Sequence, residues 1–481
     1  MIRDTRHRVA LTLGAVLMIA GGLRFFGLGT ESLWVDELAS VWFSAPPDIG
    51  AVISRTAGDV HPPGYYLILH FTTVLLGDAE WAVRLPSAVA GTLAVYVVFL
   101  LGRELYSHRE GLTGALFTAV FFAPVYYAQE ARSYSLLLLF SAITALFWWR
   151  SFSRIRGGES PGLWNFLGYV VSAVACCYLH YFGLFLVAFQ GASMLSLTVT
   201  VWRPRSTLWV FALYVPVVAA YLPWAFVMAG QGRDRDADAP TPALYMEFLF
   251  QSPLLILIAT LLLGGLFAAS LGSVRRTISG RDFEGVLPGA MLVAWAVVPF
   301  VVAYIISEFH TPILAARNTI ISLPAAYLLL ARAVVVLLPT VRWQTAVAVG
   351  VAALSLYQIL FVDELYSKPH KQQVREAVQF VTQREQDDPL IVHCGIGREA
   401  NYYYRLQNSD RSNFTQVGAC DANRTDAIRE AAEGHQEIIL VYAHLSPSEQ
   451  LLEELLSEYR LTRHEDLYDA GAYLYHNPAA G

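Results

Sequence analysis

The chain has 481 residues, of which 55% are hydrophobic and only 15% are charged. Soluble domains usually contain about 25% charged residues, so this deficit indicates that much of the chain never contacts water. The formal net charge is -6, which excludes the broad basic surface typical of nucleic-acid-binding proteins. The closely spaced cysteine and histidine ligands of zinc-binding domains are also missing from the sequence.

Long apolar runs dominate the first three quarters of the chain. A helix needs about 20 apolar residues to cross the hydrocarbon core of a membrane. Unbroken apolar runs favour such helices over the alternating strands of a barrel. We therefore predict an all-α polytopic membrane protein with about eleven transmembrane helices. The predicted spans lie near residues 9–28, 85–101, 111–128, 133–149, 163–179, 182–201, 208–228, 246–272, 286–307, 313–338 and 343–361.

Basic residues predict how these spans are oriented, because cytoplasmic loops carry an excess of lysine and arginine. A cytoplasmic N-terminus makes every arginine-bearing loop cytoplasmic, and it places the loops at 29–84 and 308–312 outside. An odd number of spans then places the residues after 362 outside as well. We expect a multi-pass protein of the cell membrane. The arginines that support this orientation are Arg103, Arg109, Arg150, Arg154, Arg156, Arg203, Arg205, Arg275, Arg276, Arg281 and Arg342.

The C-terminal part is polar and predicts a small extracytoplasmic α/β domain. Leu390–His393 and Glu437–Tyr442 resemble buried strands, and helical patterns occur between and around them. The sequence thus divides into a transmembrane domain at 1–362 and a soluble domain at 363–481. Cys394 and Cys420 could form a disulfide if this domain lies outside the cytosol.

The first outer loop, residues 29–84, is long for a connection between helices, and long ordered loops are often functional. It begins with SLWVDELASVW, continues with AGDVHPPGYYLILH and ends with WAVRLPS. Asp36 and Glu37 follow the first span directly and lie between Trp34 and Trp42. A carboxylate at the membrane edge costs solvation energy, so it needs a partner or a role. The pair could provide a base at the membrane surface or could be two hydrated carboxylates.

Further polar residues are predicted at the same depth of the membrane. His61 precedes two prolines that stiffen the backbone, and residues 65–76 resemble a helix lying along the membrane interface. Glu130 and Arg132 lie in a very short turn between two spans, where they could also form a purely structural ion pair. Tyr65 could stack on a sugar, although interfacial tyrosines need no ligand. The candidate polar residues of this layer are Asp59, His61, Arg84, Glu130 and Arg132.

Four motifs resemble the bacterial protein-mannosyltransferase-like glycosyltransferases of the GT-C superfamily, which include glycosyltransferase family 39 and the aminoarabinose-transferase-like enzymes. They are WVDE in the first outer loop, HPPGYY after it, RLPS at the next span and AQEARSYSL at the second outer turn. The segment HTPILAARN, residues 310–318, resembles a later basic loop of the same family. The resemblance is specific in the first 140 residues, looser up to residue 335 and absent from 363–481.

The resemblance implies a GT-C fold, a sugar donor linked to polyprenyl phosphate and an inverting transfer of a hexose or a pentose. It places the catalytic aspartate of the family at Asp36 and a second acidic position at Glu130, where some relatives have aspartate. One general base is sufficient for direct displacement of a phosphate leaving group, since phosphate leaves without a general acid. Glu37, Glu130 or His61 could orient this base or the acceptor.

The departing lipid phosphate requires cationic partners, and the guanidinium fork of arginine suits phosphate. Arg84, Arg132 and Arg317 are predicted at the outer face, with Arg24 as a further candidate. Each could instead be held at the interface by anionic lipid or by a carboxylate. His180 could line the same cavity or could be a packed structural histidine.

A divalent metal could bind to Asp59, His61 and Glu37, although no spacing requires one and we assign no metal ligands. The expected partners are the polyprenyl-phosphate sugar, the lipid bilayer and a protein, lipid or glycan acceptor. An alternative function is that of a polytopic transporter or lipid flippase, which should have internal repeats and polar groups near the midplane. Another is a non-enzymatic anchoring protein, which would leave Asp36 without a role. The sequence identifies neither the sugar nor the acceptor.

Overall fold

The computed structural model is mostly helical and describes residues 2–201, 204–231, 252–278, 286–383, 389–395, 397–406, 415–418, 420, 425–433 and 435–478. Short 3-10 helices at Tyr127–Gln129 and Ala316–Ser322 and a π-helical turn at Gln358–Val362 adjoin longer helices. In chain order the helices are α1 (Ile2–Phe25), α2 (Val35–Ser44), α3 (Ile49–Thr56), α4 (Gly64–Leu76), α5 (Glu80–Leu105), α6 (His108–Val120), α7 (Phe122–Tyr126), α8 (Tyr134–Arg156), α9 (Leu163–Leu179), α10 (Phe182–Val201), α11 (Pro204–Gly230), α12 (Pro253–Ile278), α13 (Leu287–Phe309), α14 (Leu323–Leu337), α15 (Val341–Tyr357), α16 (Val374–Thr382), α17 (Gly397–Leu406), α18 (Thr425–Ala432) and α19 (Glu449–Glu458).

The predicted class of a multi-pass helical membrane protein is confirmed. Within the described residues, 8 helices are long and apolar enough to cross a membrane, or up to 9 if the bent pair α6 and α7 is one span. The apolar runs predicted at 163–179 and 182–201 form α9 and α10, whose described apolar parts are shorter than those 8. The run predicted at 246–272 begins outside the described residues. The count of eleven spans is therefore not confirmed, although each predicted run contains a helix.

The run predicted as one span at 111–128 is broken. The chain bends by 63° between α6 and α7, and a helix that ends inside the protein leaves its last carbonyl groups without intrahelical partners. Arg24, which is fully buried, donates hydrogen bonds to the carbonyl oxygens of Thr118 at 2.8 Å and Ala119 at 2.9 Å. The guanidinium of Arg24, a candidate phosphate ligand in the sequence, therefore caps the C-terminal end of α6 at the bend.

The chain forms two compact units. The first, called here the membrane unit, comprises Met1–Phe26, Pro46–Leu75 and Arg84–Asp363. The second, called the outer unit, comprises Gly27–Ala45, Leu76–Val83 and Glu364–Gly481. The first outer loop is thus shared between the two units, because its beginning and its end belong to the outer unit and its middle belongs to the membrane unit.

The outer unit contains a five-stranded mixed sheet with the order β2-β1-β3-β5-β4. Strands β1 and β3 were predicted from their apolar runs, and both are buried and parallel. The hairpin of β4 and β5 was not predicted, since β4 is mostly exposed and has no apolar run. The strands are β1 (Leu390–Cys394), β2 (Thr415–Gly418), β3 (Glu437–Ala443), β4 (Arg460–Leu467) and β5 (Ala470–His476).

Cys394 at the end of β1 forms a disulfide with Cys420, and their Cα atoms are 5.3 Å apart. Both cysteines are buried in the core of the sheet, beside Ile428 and Leu440. Disulfides persist in oxidising compartments. The remaining pair, Cys176 and Cys177, is reduced and buried in the membrane unit.

Candidate functional site

The HPPG segment, residues 61–64, packs against the turn that joins α9 to α10. Its two prolines restrict the backbone, and α4 begins at Gly64. A Cβ atom on Gly64 would lie 2.5 Å from the carbonyl oxygen of Tyr178, so a larger residue would collide with backbone. The close approach brings His61 beside His180, with ring centroids 5.6 Å apart.

Asp59, His61 and Arg132 form a row of polar groups in the membrane unit. Nδ1 of His61 lies 3.3 Å from Oδ2 of Asp59, and Nη2 of Arg132 lies 3.5 Å from Nε2 of His61. The hydroxyl of Tyr66 also donates to Oδ2 of Asp59 at 2.6 Å. This network assigns the proton of neutral His61 to Nδ1, which leaves Nε2 as the acceptor that faces Arg132.

The environment of Asp59 favours its ionised form. Burial raises the pKa of the Asp59 carboxyl, but several groups lower it by more than burial raises it. These are the hydrogen bond from His61, the positive charge that His61 carries when it is protonated, and hydrogen bonds from the Tyr66 hydroxyl and the Val60 main chain. The pKa of Asp59 therefore lies below the ordinary value of 3.8. A carboxylate with a lowered pKa is a weak general base. Asp59 is therefore suited to orienting His61 and balancing the charge of Arg132.

An aromatic layer connects this row to the second outer turn. The guanidinium carbon of Arg132 lies 5.9 Å from the ring centroid of Tyr134, at a distance typical of cation–π contacts. The Tyr134 ring in turn lies 6.1 Å from that of His180. The main-chain nitrogen of Phe182 donates to Nδ1 of His180 at 3.2 Å, which directs the other ring nitrogen of His180 away from the backbone.

Glu130 and Arg317 lie around the same aromatic layer. The ring of Tyr127 lies 5.0 Å from that of Tyr134, and its hydroxyl is within electrostatic range of both Glu130 and Arg317. Glu130 is almost completely buried, whereas Arg317 is partly exposed. The second outer turn and the HTPILAARN segment, which are distant in sequence, therefore bring an acidic and a basic group to one region.

A cavity of about 340 Å³ opens beside His61. One part of its wall is polar, and the rest is formed by aliphatic and aromatic side chains. The hydroxyl of Tyr181 on the polar side donates to Gln231 and accepts from Nε1 of Trp224 at 3.2 Å. Its lining residues are Val60, His61, His180, Tyr181, Phe182, Leu184, Phe185, Met228, Gln231, Ile306, His310, Thr311, Ile313 and Asn318. A wall of this composition suits an amphiphile with a polar head and an isoprenoid tail.

Arg84 and Tyr65 are buried near these elements. Arg84 is 1% exposed on α5, and Ser87, one turn further, donates to the carbonyl oxygen of Arg132 at 3.0 Å. Tyr65 is 3% exposed and packs edge-on against Tyr66, with ring centroids 6.0 Å apart. Neither residue is among those that line the cavity beside His61.

Asp36 and Glu37 belong to the first turn of α2 in the outer unit, and their environments differ. Glu37 is fully buried; its Oε2 accepts from the main-chain nitrogen of Trp34 at 3.3 Å, and its Oε1 lies 3.6 Å from Nζ of Lys371. Its side chain thus caps α2 and pairs with a buried lysine. Asp36 is only half-buried, and a carboxylate in the first turn of a helix is favoured by the helix dipole.

The segment 370–372 holds the beginning of α2 within the outer unit. The side-chain oxygen of Gln372 accepts from the main-chain nitrogen of Val35 at 3.0 Å, and its carbonyl accepts from Ser32 at 2.6 Å. The hydroxyl of Tyr403 accepts from the main-chain nitrogen of Leu33 at 2.5 Å. Three residues of the WVDE region and its approach, Ser32, Leu33 and Val35, are therefore fixed by the C-terminal part.

The end of the first outer loop is fixed by the same part of the chain. Arg375 pairs with Glu80 at 2.9 Å and donates to the carbonyl oxygen of Thr30 at 2.8 Å. Tyr402 donates to the carbonyl oxygen of Asp78 at 2.5 Å, and Arg405 pairs with the Asp78 carboxylate. Both ends of the loop are thus bound to α16 and α17.

The candidate metal ligands do not form a metal centre. Within the described parts of the chain, no group of three or more histidine, cysteine, aspartate or glutamate side chains could hold a metal ion. Asp59 instead contacts His61 and Tyr66, and Glu37 contacts Lys371.

Most of the residues singled out in the sequence lie close to other residues of the set, but they are divided between the two units. Asp59, His61, Glu130, Arg132 and Arg317 surround the aromatic layer of the membrane unit. The sequence analysis missed Gln231, His310 and Asn318, which line the cavity, and Lys371 and Gln372, which hold α2. His310 and Asn318 lie at the ends of the HTPILAARN motif, which was therefore a usable signal for them. No motif could indicate Lys371, because its partner lies more than three hundred residues earlier.

Comparisons with known proteins agree with the motifs. Residues 60–226 match the family described as dolichyl-phosphate-mannose-protein mannosyltransferase. No curated protein sequence matches the chain. Apo ArnT from Cupriavidus metallidurans superposes over 98% of both chains, with a TM-score of 0.57 and 11% identity.

Two further solved structures show the same fold. ArnT from Cupriavidus metallidurans bound to undecaprenyl phosphate covers 99% of both chains, with a TM-score of 0.53 and 13% identity. The Archaeoglobus fulgidus oligosaccharyltransferase in complex with zinc and sulfate has a TM-score of 0.53 and 12% identity, over 89% of this chain and 67% of that chain. The chain therefore has the GT-C fold of these structures, and its residues 60–226 resemble the dolichyl-phosphate-mannose-protein mannosyltransferase family.

Proposed function

We propose that this protein transfers a sugar from a polyprenyl-phosphate carrier to an acceptor hydroxyl at the outer face of the membrane. The observation that carries the proposal is the cavity beside His61, in which polar side chains meet an apolar wall inside a membrane unit of the GT-C fold. A related structure, ArnT, is described as bound to undecaprenyl phosphate. Fold alone does not establish activity, so the proposal rests on the side chains that the cavity contains.

The cavity and its surroundings provide both parts of a site for a lipid phosphate. Phe182, Leu184, Phe185 and Ile306 form an apolar wall that an isoprenoid can occupy without losing favourable contacts. His61, which lines the cavity, is oriented by Asp59 and accompanied by Arg132. We assign Arg132 and Arg317 to the leaving phosphate, because guanidinium groups stabilise the negative charge that develops there.

We assign the general base to Asp36. An oxygen of the acceptor hydroxyl attacks the anomeric carbon, the bond between that carbon and the phosphate oxygen breaks, and the hydroxyl proton passes to the Asp36 carboxylate. The products are the glycosylated acceptor and polyprenyl phosphate. A single displacement from the face opposite the phosphate inverts the anomeric configuration, whether the sugar is a hexose or a pentose.

Other carboxylates are less suited to the role of base. Glu37 is fully buried and bonded to Lys371 and to the main chain of α2. The lowered pKa of Asp59 makes it a weaker proton acceptor. Glu130 is almost completely buried, and we assign it to orienting the arginines or the acceptor.

The positive-inside distribution of arginines supports an extracytoplasmic outer unit. The disulfide between Cys394 and Cys420 supports the same orientation. We propose that the C-terminal part of this unit, Glu364–Gly481, which lies beyond the part of the chain that resembles the family, contributes to selection of a protein, lipid or glycan acceptor. A reporter fused after Gly481 should be accessible from outside, and a cytoplasmic signal would contradict the orientation.

The assay uses purified protein, a polyprenyl-phosphate hexose or pentose, and a cell-envelope extract from a strain that lacks the protein. It measures release of polyprenyl phosphate and transfer of labelled sugar. Asp36→Asn preserves the shape of the side chain but cannot accept the proton, so we expect the rate to fall by about 10²- to 10⁴-fold. Turnover of D36N near the parental rate would refute the assignment of the base.

Asp48→Asn provides a matched control in the same outer loop. Asp48 caps α3 by accepting from the main-chain nitrogen of Ala51 at 2.9 Å, and asparagine caps helices equally well. We therefore expect D48N to retain parental turnover. Failure of the parent to release polyprenyl phosphate from either donor would refute the proposed function itself.

A further inference from the structure

A second amphipathic groove lies in the membrane unit, between the first half of α1, the last turns of α5 and the start of α6. Its volume is about 650 Å³. Three cationic or potentially cationic side chains from these three helices line it, namely Arg6, Arg103 and His108. Apolar side chains, among them Leu13 and Leu100, form the adjoining wall. None of these residues lines the cavity beside His61.

The ring of Phe99 arranges two of these groups. The guanidinium carbon of Arg103 lies 5.7 Å from the centroid of the Phe99 ring, and the ring of His108 stacks on Phe99 with a centroid distance of 6.3 Å and an interplanar angle of 21°. Contacts through ring faces leave the N–H groups of both side chains available for other acceptors. Arg6, Arg103 and His108 are all exposed.

The nearby carboxylates are already occupied by other arginines. Glu104, adjacent to Arg103, pairs with Arg150, and Glu110 pairs with Arg332 at 2.6 Å. Among the residues that the structure describes, no carboxylate pairs with Arg6, Arg103 or His108. The groove therefore has an excess of positive charge, since arginine is always protonated.

We propose that this groove binds the phosphate headgroup of an anionic glycerophospholipid, whose acyl chain lies along the apolar wall. The groove is formed by the ends of two helices that are long and apolar enough to span the membrane, Arg6–Phe25 and Glu80–Leu105. A charged end joined to an apolar wall matches an amphiphile better than a soluble phosphate. The arginine distribution places this end of α1 and α5 at the cytoplasmic leaflet, where anionic lipids attract basic segments.

The proposal can be tested by native mass spectrometry of the full chain released from detergent micelles. Phosphatidylglycerol and phosphatidylcholine with identical acyl chains are titrated separately, and the fraction of protein that retains one lipid is measured. We expect the parent to retain phosphatidylglycerol at lower concentration than phosphatidylcholine. Arg103→Gln and Arg6→Gln should each weaken retention of phosphatidylglycerol by about fivefold and leave phosphatidylcholine unchanged.

Arg109→Gln is the matched control, because Arg109 is exposed on the same turn of α6 but does not line the groove. We expect R109Q to retain phosphatidylglycerol to within about twofold of the parent, because salt screens the attraction between an exposed charge outside the groove and the lipid phosphate. If R109Q and R103Q weakened retention of phosphatidylglycerol equally, the lipid would be held by diffuse electrostatic attraction to the surface, and the proposal would be overturned. Equal retention of the two lipids, or equally tight binding of inorganic phosphate, would also overturn it.

Discussion

The buried ion pair of Lys371 and Glu37 should control both the stability of α2 and the activity assigned to Asp36. Nζ of Lys371 lies 3.6 Å from Oε1 of Glu37, and the two side chains are 2% and 0% exposed. At this distance two unit charges attract by about 4–5 kcal/mol for an effective dielectric constant of about 20. Removing one partner leaves the other charge buried, which typically costs about 3–5 kcal/mol.

Lys371→Met is therefore expected to destabilise the first turn of α2. Hydrogen–deuterium exchange of the purified protein, followed by mass spectrometry, measures this locally. A loss of about 3 kcal/mol or more should accelerate exchange of the α2 amides by at least about a hundredfold. Sugar transfer should fall in the same variant, since the turn that opens carries Asp36.

Two further variants separate this mechanism from a general effect of losing a lysine. Lys368→Met removes a solvent-exposed lysine that pairs with Glu364 four residues earlier at 3.1 Å, and such surface pairs contribute only about 0.3–0.5 kcal/mol. The double variant K371M/E37Q removes both buried charges while glutamine retains an acceptor for the helix cap. We expect K368M to resemble the parent and the double variant to recover most of the protection and activity. If K371M exchanged no faster than K368M, the pair would not hold α2.

Three other predictions concern the HPPG segment, the disulfide and Asp59. Gly64→Ala should reduce thermal stability in detergent by about 1–3 kcal/mol because its Cβ meets a carbonyl oxygen at 2.5 Å, whereas Gly58→Ala, at 3.6 Å, should be nearly neutral. Reduction of the bond between Cys394 and Cys420, or a double serine variant, should destabilise the outer unit to denaturant by about 3–4 kcal/mol for a loop of 26 residues. The pKa of Asp59 is lower in the folded state than its ordinary 3.8, so its stabilisation is fully present above pH 4 and disappears as pH falls through the folded pKa. Parent and D59N should therefore differ in unfolding free energy at neutral pH and converge once the pH has fallen below the folded pKa, and a constant difference would refute the assignment.

Apolar run length predicts the membrane helices well because the hydrocarbon core imposes one physical requirement on every span. It fails at α6 and α7, where one apolar run bends by 63° and Arg24 from another helix donates to the carbonyl groups at the end of α6. Hydropathy contains no information on a hydrogen bond between residues that are 95 positions apart. The β4–β5 hairpin was missed for a related reason, since an exposed strand needs no apolar pattern to pair with its neighbour.

The site in the membrane unit could be predicted in part from motifs. Asp59, His61, Arg132 and Arg317 were selected because the motifs that contain them resemble one family. The contact of His61 with Arg132, 71 residues later in the chain, depends on packing that no spacing rule indicates. Sequence resemblance identifies which segments matter, whereas packing decides which side chains in them interact.

Asp36 and Glu37 show how adjacent acidic residues can acquire different roles. Successive residues on a helix point about 100° apart, so they face different surroundings. Glu37 lies on the face of α2 that also buries Val41 and Ser44, at spacings of four and seven residues, whereas Asp36 is only half-buried. A buried carboxylate needs a buried cation, and Lys371 supplies it from the outer unit. Glu37→Gln should therefore reduce stability and lower turnover only as a consequence. D36N should lower turnover by about 10²- to 10⁴-fold in a protein that unfolds like the parent. A pair of variants with the opposite pattern would exchange the roles of the two residues.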